Sequence, residues 1–582
     1  MPPQMHEDVG KFASLIPQSQ ESVQSSATKQ KVRPDSAHDS GSVEALLETC
    51  WSFTDPEPLK TLLAQSSRPD TKHDPKERSL LSCGTPILQL LLSLCTIARV
   101  QDHFSKFGHI VHRLDDLILI AREKCYAFPY KDVPFCWIEL FRFASFLKAS
   151  VLAMESTWGS TKQVSPRNTK SKVSQVEFPG LSERTIDEMV EAIDTALIMA
   201  GHPSDDKARV KVNGILEALQ RIHERKVSNN ADIPSPSKRP RLDDGPFSRT
   251  SLKPAVQRPV SIFSDPSLPA FERHMQHPNN EGLGPGPLLI KGLLTEWPAL
   301  TKWKDISYLR SNTIGGRRLV PVEIGKSYVD SAWGQSIITF NKFLDNYVLD
   351  SPENVGNGMA YLAQYDLFEH IPALRNDIMI PDLCYATCSP PHHSSPFLTK
   401  HSALPRLEDP MLNAWFGPAG TVSPMHTDPY HNILAQVVGR KYVRLYAPRE
   451  HKKLYPRGIE EGGVDMSNTS NVDVGLISGL DDNVDGEKAA IDEFPLFKEA
   501  EYVDVILEAG DCLYIPLGWW HYVKSLSTLL HNSNNRYFYI ARNDVKQFIP
   551  RKVRISIIAS SGDFGHVLLG YMAALKFRVG CV

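Results

Sequence analysis

The stretch Ser423-Pro-Met-His-Thr-Asp-Pro-Tyr-His-Asn432 sets an imidazole, His426, and a carboxylate, Asp428, two residues apart. In an extended chain both project to the same face. One imidazole and one carboxylate on a common face are two corners of a facial triad, which leaves three metal positions open. The spacing alone is weak: 20 histidines and 67 acidic residues in 582 give roughly two such matches by chance, and His6 with Asp8 is one that has no supporting context. His426 is different because it opens a strand-like run and is answered downstream by Gly510-Asp-Cys-Leu-Tyr-Ile-Pro-Leu-Gly-Trp-Trp-His521-Tyr-Val523. There a Gly-Asp turn leads into a strand, Pro516 ends it and His521 starts the next. Closing a barrel brings such distant strands together and supplies His521 as the third ligand.

Outward from this pair, the chain from about Val260 consists of short β-rich runs separated by Gly and Pro: Pro287–Lys291, Arg318–Ile324, Ala414–Gly417, Asn432–Val438, Lys441–Ala447 and Cys512–Ile515. The spacing predicts a barrel or sandwich. Between Tyr455 and Glu501 lies an acidic, Gly- and Asn-containing insertion, read as a surface excursion between two strands. Upstream the period changes to three and four residues, with Val43, Leu46, Leu47 and Cys50, then Ile87, Leu90, Leu91 and Leu94. This predicts an all-α region over 43–226. Its last helix pair opens at a capping box, Thr185 to Glu188, breaks at Gly201-His-Pro203 and resumes to about His223. The expected class is therefore α+β and multidomain: a tail over 1–42, a helical domain over 43–226, a linker over 227–258, a cupin-like domain over 259–527 and a divergent segment over 528–582.

Length and composition agree with a soluble multidomain protein. The net charge of −3 makes no global case for nucleic acid binding, and the longest apolar run, around Pro86–Val100, is too short and interrupted for a membrane span. Met1–Gly10 lacks the basic start and apolar run of a secretory signal. Nine scattered cysteines without a CxxC pair read as buried free thiols rather than a zinc or disulfide framework. Within the linker, Ser237-Lys-Arg-Pro-Arg241 is a compact basic cluster whose functional reading is nuclear import, with a cytoplasmic pool also allowed.

With these blocks in place, the sequence resembles the JmjC family, double-stranded β-helix proteins of the cupin class. The likeness rests on the H-x-D stretch, the hairpin Gly439-Arg-Lys-Tyr-Val-Arg-Leu-Tyr446 and the block ending at His521, and extends over about Pro287–Ser525 through Pro321-Val-Glu-Ile-Gly325, Tyr361-Leu-Ala-Gln364 and Asn413-Ala-Trp-Phe-Gly417. Such a family uses Fe(II), 2-oxoglutarate and O2. The resemblance implies metal ligation by His426, Asp428 and His521. A dicarboxylate cosubstrate needs a cation for its far carboxylate, and Lys441 fits, since it follows the Gly439-Arg440 turn and can point inward while Arg440 points out. Tyr361, Ser423 and Asn432 would add hydroxyl and amide contacts. Glu323, Gln364 and Trp415 align with residues at the pocket mouth of arginyl hydroxylases, where a carboxylate and an aromatic face suit a guanidinium.

Together the motifs and the resemblance point to an oxygenase acting on a protein or peptide side chain, arginine first. A histone lysine demethylase, for which the same mouth would suit a methylated lysine, is the alternative within the enzyme class; a non-catalytic chromatin or adaptor protein is the alternative outside it. The resemblance stops after Ser525, where family members continue into a strand that closes the sheet. The segment beyond Ser525 is either a lineage-specific ending or translation through an intron. Arg536-Tyr-Phe-Tyr-Ile-Ala541 has strand character and is a candidate replacement.

Overall fold

The computed structural model describes residues 38–544 apart from internal stretches, the longest being 67–78, 159–179 and 230–253. The basic cluster 237–241, most of the tail and everything after Asp544 lie outside the described residues.

Among the described residues, seven α-helices form the N-terminal half: α1 (His38–Phe53), α2 (Glu57–Ser66), α3 (Thr85–Ala98), α4 (Phe107–Tyr126), α5 (Phe135–Trp158), α6 (Glu183–Ala200) and α7 (Asp206–Asn229). Their apolar stripes, such as Ile110, Leu114, Leu117 and Ala121 on α4, meet in one core with Leu140, Leu147 and Ile193. The cap of α6 lies three residues ahead of the expected box. Ser182 is the N-cap, its hydroxyl accepting from Thr185 N at 3.0 Å, while Glu188 pairs with Arg184 at 2.8 Å and leaves the cap alone. The second helix of the pair continues past His223 to Asn229. No helix among the described residues is long and apolar enough to cross a membrane.

The described residues of the second half hold fourteen strands: β1 (Ser261–Phe263), β2 (Leu288–Ile290), β3 (Leu319–Ile324), β4 (Gly334–Thr339), β5 (Ala360–Tyr365), β6 (Asn413–Pro418), β7 (Val422–Thr427), β8 (His431–Val438), β9 (Lys441–Tyr446), β10 (Tyr502–Leu507), β11 (Cys512–Ile515), β12 (Trp520–Ser525), β13 (Arg536–Ala541) and β14 (Asn543–Asp544). The larger sheet runs β1-β2-β11-β8-β13-β6-β5-β3-β4, with β14 also on β8; the smaller runs β10-β9-β12-β7. Each strand expected from the sequence is present within a residue or two. The segment past Ser525 contributes as well, because β13 lies antiparallel between β6 and β8 and fills a place in the middle of the larger sheet.

One face of the smaller sheet, through Val443, Leu445, Val505 and Val523, joins the core of the larger one. Its other face, through Met425, Tyr442, Tyr446, Trp520 and Tyr522, is covered by Val472, Val474, Ile477 and Phe497, which belong to the insertion. The insertion is thus more than a surface excursion. Thr427 N donates to Asn468 O at 2.8 Å and Ser470 N to Met425 O at 2.9 Å, with Thr469 and Ser470 buried. The reason is that β7 is an edge strand, whose backbone groups need partners once covered. The insertion supplies them on the strand that carries His426.

The helical half is anchored to β3 by a buried charge. Asp194 of α6 accepts from Arg318 Nε at 3.0 and 2.9 Å and from Leu319 N at 2.7 Å. Arg318 donates onward to His370 O at 2.7 Å, and His370 Nε2 donates to Leu319 O at 3.0 Å. Burial alone would raise the Asp194 carboxyl; Arg318 and His370 overcome this and hold it well below the usual carboxylate range.

Candidate metal centre

His426 and His521 stand directly opposite each other on β7 and β12. Ser423 opposes Val523, so three steps along β7 match two along β12. This bulge matters, because it turns both Ser423 and His426 to the interior face although they stand three positions apart. Asp428 follows just beyond the end of β7.

The three side chains converge, with one ligand atom from each inside a 4.8 Å sphere of mutual distances. Among the described residues no other group of His, Cys, Asp and Glu does so. Asp428 Oδ1 lies 3.7 Å from His426 Nε2, and Asp428 Oδ2 lies 3.5 Å from His521 Nε2. Ligands held at about 2.1 Å from one ion sit on the order of 3 Å apart, so a small inward movement closes the set.

The tautomers suit this role. His426 Nδ1 is 2.7 Å from Pro424 O and His521 Nδ1 is 3.2 Å from Trp519 O. A carbonyl can only accept, so each Nδ1 carries a proton and each Nε2 is the nitrogen left to face the centre. Burial, with His426 adding to it, pushes His521 down to about 4, which keeps that imidazole neutral at physiological pH. Asn432 Nδ2 donates to Asp428 Oδ2 at 2.8 Å, so the amide expected to touch the cosubstrate also orients the carboxylate. The donor set of two imidazoles, each with Nε2 turned to the centre, and a held carboxylate on one side fits a divalent ion with open positions.

Lys441 lies across the same interior, 1% exposed. Its Nζ is 3.0 Å from Ser525 Oγ and 3.3 Å from Tyr361 Oη, and Ser525 Oγ accepts from Thr421 Oγ1 at 2.9 Å. Burial holds the ammonium well below its usual range, which a bound carboxylate would reverse. Arg440 points the other way, donating to exposed Glu508 at 2.8 Å. Ser525 and Thr421 were not singled out from the sequence, although a signal existed. Ser525 lies four residues after His521 on β12 and faces Lys441 directly, so strand alternation puts it on the ligand face.

Tyr361 can lie over this pocket because β6 has glycine beside it: a Cβ at Gly417 would fall 2.6 Å from the Tyr361 ring. Glu323 on β3 pairs with Tyr361 on one side and Gln335 on the other, and Trp415 alternates onto the face of Gly417. Burial pushes the Glu323 carboxyl up to about 7. Gln364 has φ of 49° where β5 slips register against β6 between Leu362 and Tyr365, an unusual backbone for a non-glycine residue that a bulge accommodates.

The Cupin-like domain family matches residues 283–544, β13 included. JmjC domain-containing protein D of Dictyostelium discoideum is 41% identical over 272 residues, 46% of this chain and 53% of that protein. Lysine-specific demethylase JMJ30 of Arabidopsis thaliana is 43% identical over 244 residues, 42% and 48% of the two chains. Lysine-specific demethylase 8 of Danio rerio is 36% identical over 353 residues, 59% of this chain and 73% of that protein. The chain spans about half the length of the first of these relatives.

Proposed function

The chain belongs to the JmjC family of cupin-like proteins, and from that premise we propose that it is an Fe(II)- and 2-oxoglutarate-dependent oxygenase acting on a protein side chain. The observation that carries the reading is the pairing of two sites on one interior face: the His426, Asp428 and His521 set, and the buried ammonium of Lys441. On β12 the residues opposite these two ends, His521 and Ser525, are four apart, about 13 Å of strand. A five-carbon dicarboxylate, reached from one end by an imidazole and from the other by a lysine, spans such a distance.

Each group then has a task. His426, Asp428 and His521 hold the iron, which when bound with 2-oxoglutarate and O2 supplies oxidation of a C–H bond. Asn432 orients Asp428. Lys441, with Ser525 and Tyr361 hydroxyls beside it, neutralises the far carboxylate of the cosubstrate, and Ser423 adds a hydroxyl from the bulge. The apolar walls made by Val443, Leu445 and Val523 exclude water from the interior face. Glu323, Gln364 and Trp415 form the mouth, where an ionised Glu323 and an indole face receive a cationic side chain.

For the substrate we favour arginine in a protein or peptide, because a planar guanidinium accepts both a carboxylate and a stacking face. Methylated lysine of a histone is the second reading, favoured by the names of the two lysine-specific demethylases to which the chain is similar. Those names also fit a nuclear location. Mass spectrometry of arginine-containing and methyl-lysine histone peptides, incubated with iron and 2-oxoglutarate, separates them. Gain of one oxygen on arginine supports the first, and loss of methyl groups without it replaces the first by the second. Absence of succinate formation that depends on His426 and Asp428 sinks both and leaves an adaptor role.

A further inference from the structure

The mouth holds one more polar group than the sequence singled out. β4 is the last strand of the larger sheet, so its side chains border the opening, and Gln335 stands directly opposite Glu323. The bonding of the strands fixes how close the two come. Phe340 N donates to Arg318 O and Gly325 N to Met359 O, so even positions along β3 bond toward β4 and odd ones toward β5. Pro321, which has no N–H to give, faces away from β4 as this pattern requires. Glu323 and Gln335 are therefore a narrow, non-hydrogen-bonded pair, the kind whose facing side chains lie closest. Each is an acceptor in want of a donor. Gln335 is half-buried, and its Oε1 is fully buried with no hydrogen-bond partner among the described residues. Burial is the chief influence on the Glu323 carboxyl, and no cation among the described residues offsets it. Buried acceptors are seldom left unpaired, so two side by side at a mouth point to a ligand that brings the donors.

We propose that Gln335 sets the substrate preference of this mouth, its amide oxygen and the Glu323 carboxylate together taking the N–H groups of a guanidinium. The inference rests on reading the chain as an oxygenase that acts on arginine, and it supplies a reason for arginine to win. A guanidinium carries several N–H donors in a planar fork, enough to serve both acceptors while its face stays open to Trp415. Dimethyllysine has a single N–H and trimethyllysine has none. A methylated lysine of either kind satisfies the charge of Glu323 and leaves a buried acceptor unpaired. A site built to hydrogen-bond its ligand rejects an analogue without the donor far more strongly than a purely apolar pocket rejects one of slightly different size.

The test titrates two versions of one histone peptide, with arginine or trimethyllysine at the same central position, into the full-length chain. The chain holds iron and 2-oxoglutarate under nitrogen, so that calorimetry reads binding without turnover. The unsubstituted chain should bind the arginine version at least about tenfold more tightly. Gln335→Leu should weaken that binding roughly 10–100-fold, as expected for a lost hydrogen bond to a charged group, and leave the trimethyllysine version unchanged. Gln335→Glu, which can only accept, should keep the preference. Equal weakening of both peptides by Gln335→Leu would reduce Gln335 to a support of β4, and an unchanged arginine affinity would place it out of reach of the ligand. Either result, or loss of the preference in Gln335→Glu, overturns the role of Gln335 and leaves the arginine reading standing. An unsubstituted chain that prefers trimethyllysine, or binds neither peptide, overturns both. Melting curves show whether each variant is folded, and Gln335→Met makes the same comparison should the leucine variant not fold.

Discussion

Asp428 carries the negative charge of the candidate centre and is itself held by one amide. Replacing it with alanine leaves two imidazoles and removes the charge that offsets a divalent ion, so iron affinity and succinate formation should both fall steeply. Folding should suffer little, because the pairing of β7 with β12 runs through backbone groups and not through the ligand side chains. Calorimetric iron binding with circular dichroism checks both; parent-like turnover by Asp428→Ala would refute the ligand assignment. Asn432→Ala should weaken iron binding about 10–100-fold, the usual effect of losing a partner that orients a ligand. Unchanged metal affinity would confine Asn432 to the cosubstrate. At the mouth, Glu323 titrates near 7 in the folded chain against an unfolded value of 4.5. Its folded form binds the extra proton between those values, so its contribution to stability declines as pH rises through that window. Its affinity for a cation moves oppositely and should increase from pH 6 to 8 as the carboxylate forms. KM for an arginine peptide is expected to fall over that range, and Glu323→Gln to flatten the profile.

At the scale of elements, the role of β13 is open to a direct comparison. It pairs with β6 on one side and β8 on the other, so a chain ending at 526 exposes two strand edges inside the larger sheet, while one ending at 544 keeps them covered. The shorter chain should aggregate or melt well below the parent, and the longer should match it; equal stability of the two would show that the larger sheet does not need this strand. The strands themselves were legible because Gly and Pro bracket β-branched and aromatic runs, and Lys441 was legible from the turn that precedes it. Thr421 was not, since a small hydroxyl residue outside a strand carries no periodic signal; Ser525 stands on the ligand face by alternation from His521, but its place beside Lys441 emerges only when β12 is registered against β9. The bulge between Ser423 and His426 was equally hidden. In a regular strand those two residues would face apart, and only the partner strand reveals the extra residue. The cap of α6 was misplaced for a related reason, as two hydroxyl residues three apart compete and local pattern does not decide between them.

For the whole molecule, periodicity separates a helical half from a strand-rich half and carries no sign of how they join. The join is a charge pair 124 residues apart, and nothing in the pattern near Asp194 or Arg318 announces it: a buried aspartate on an apolar helix face looks like an error until its partner arrives. Gln220 reinforces it by accepting from Ile314 N at 2.8 Å, and Arg317 bonds Asp187 at 2.7 Å. Since Arg318 is 4% exposed and Asp194 is 0%, deleting either partner strands a charge in the interior, at a cost of about 3–5 kcal/mol. Asp194→Asn should therefore lower stability by roughly this amount, and because β3 also carries Glu323, it should raise KM for a peptide more than it lowers kcat. Removing the helical half altogether is the stronger case. A chain beginning at 230 leaves Arg318 and the backbone N–H groups of Ile314 and Leu319 without the acceptors that now satisfy them, and uncovers Leu319, which packs on Ile198. It should be poorly soluble or melt far below the full chain. If it were instead soluble, with the melting temperature and 2-oxoglutarate turnover of the full chain, the helical half would be a separable appendage and the buried pair a contact of little consequence.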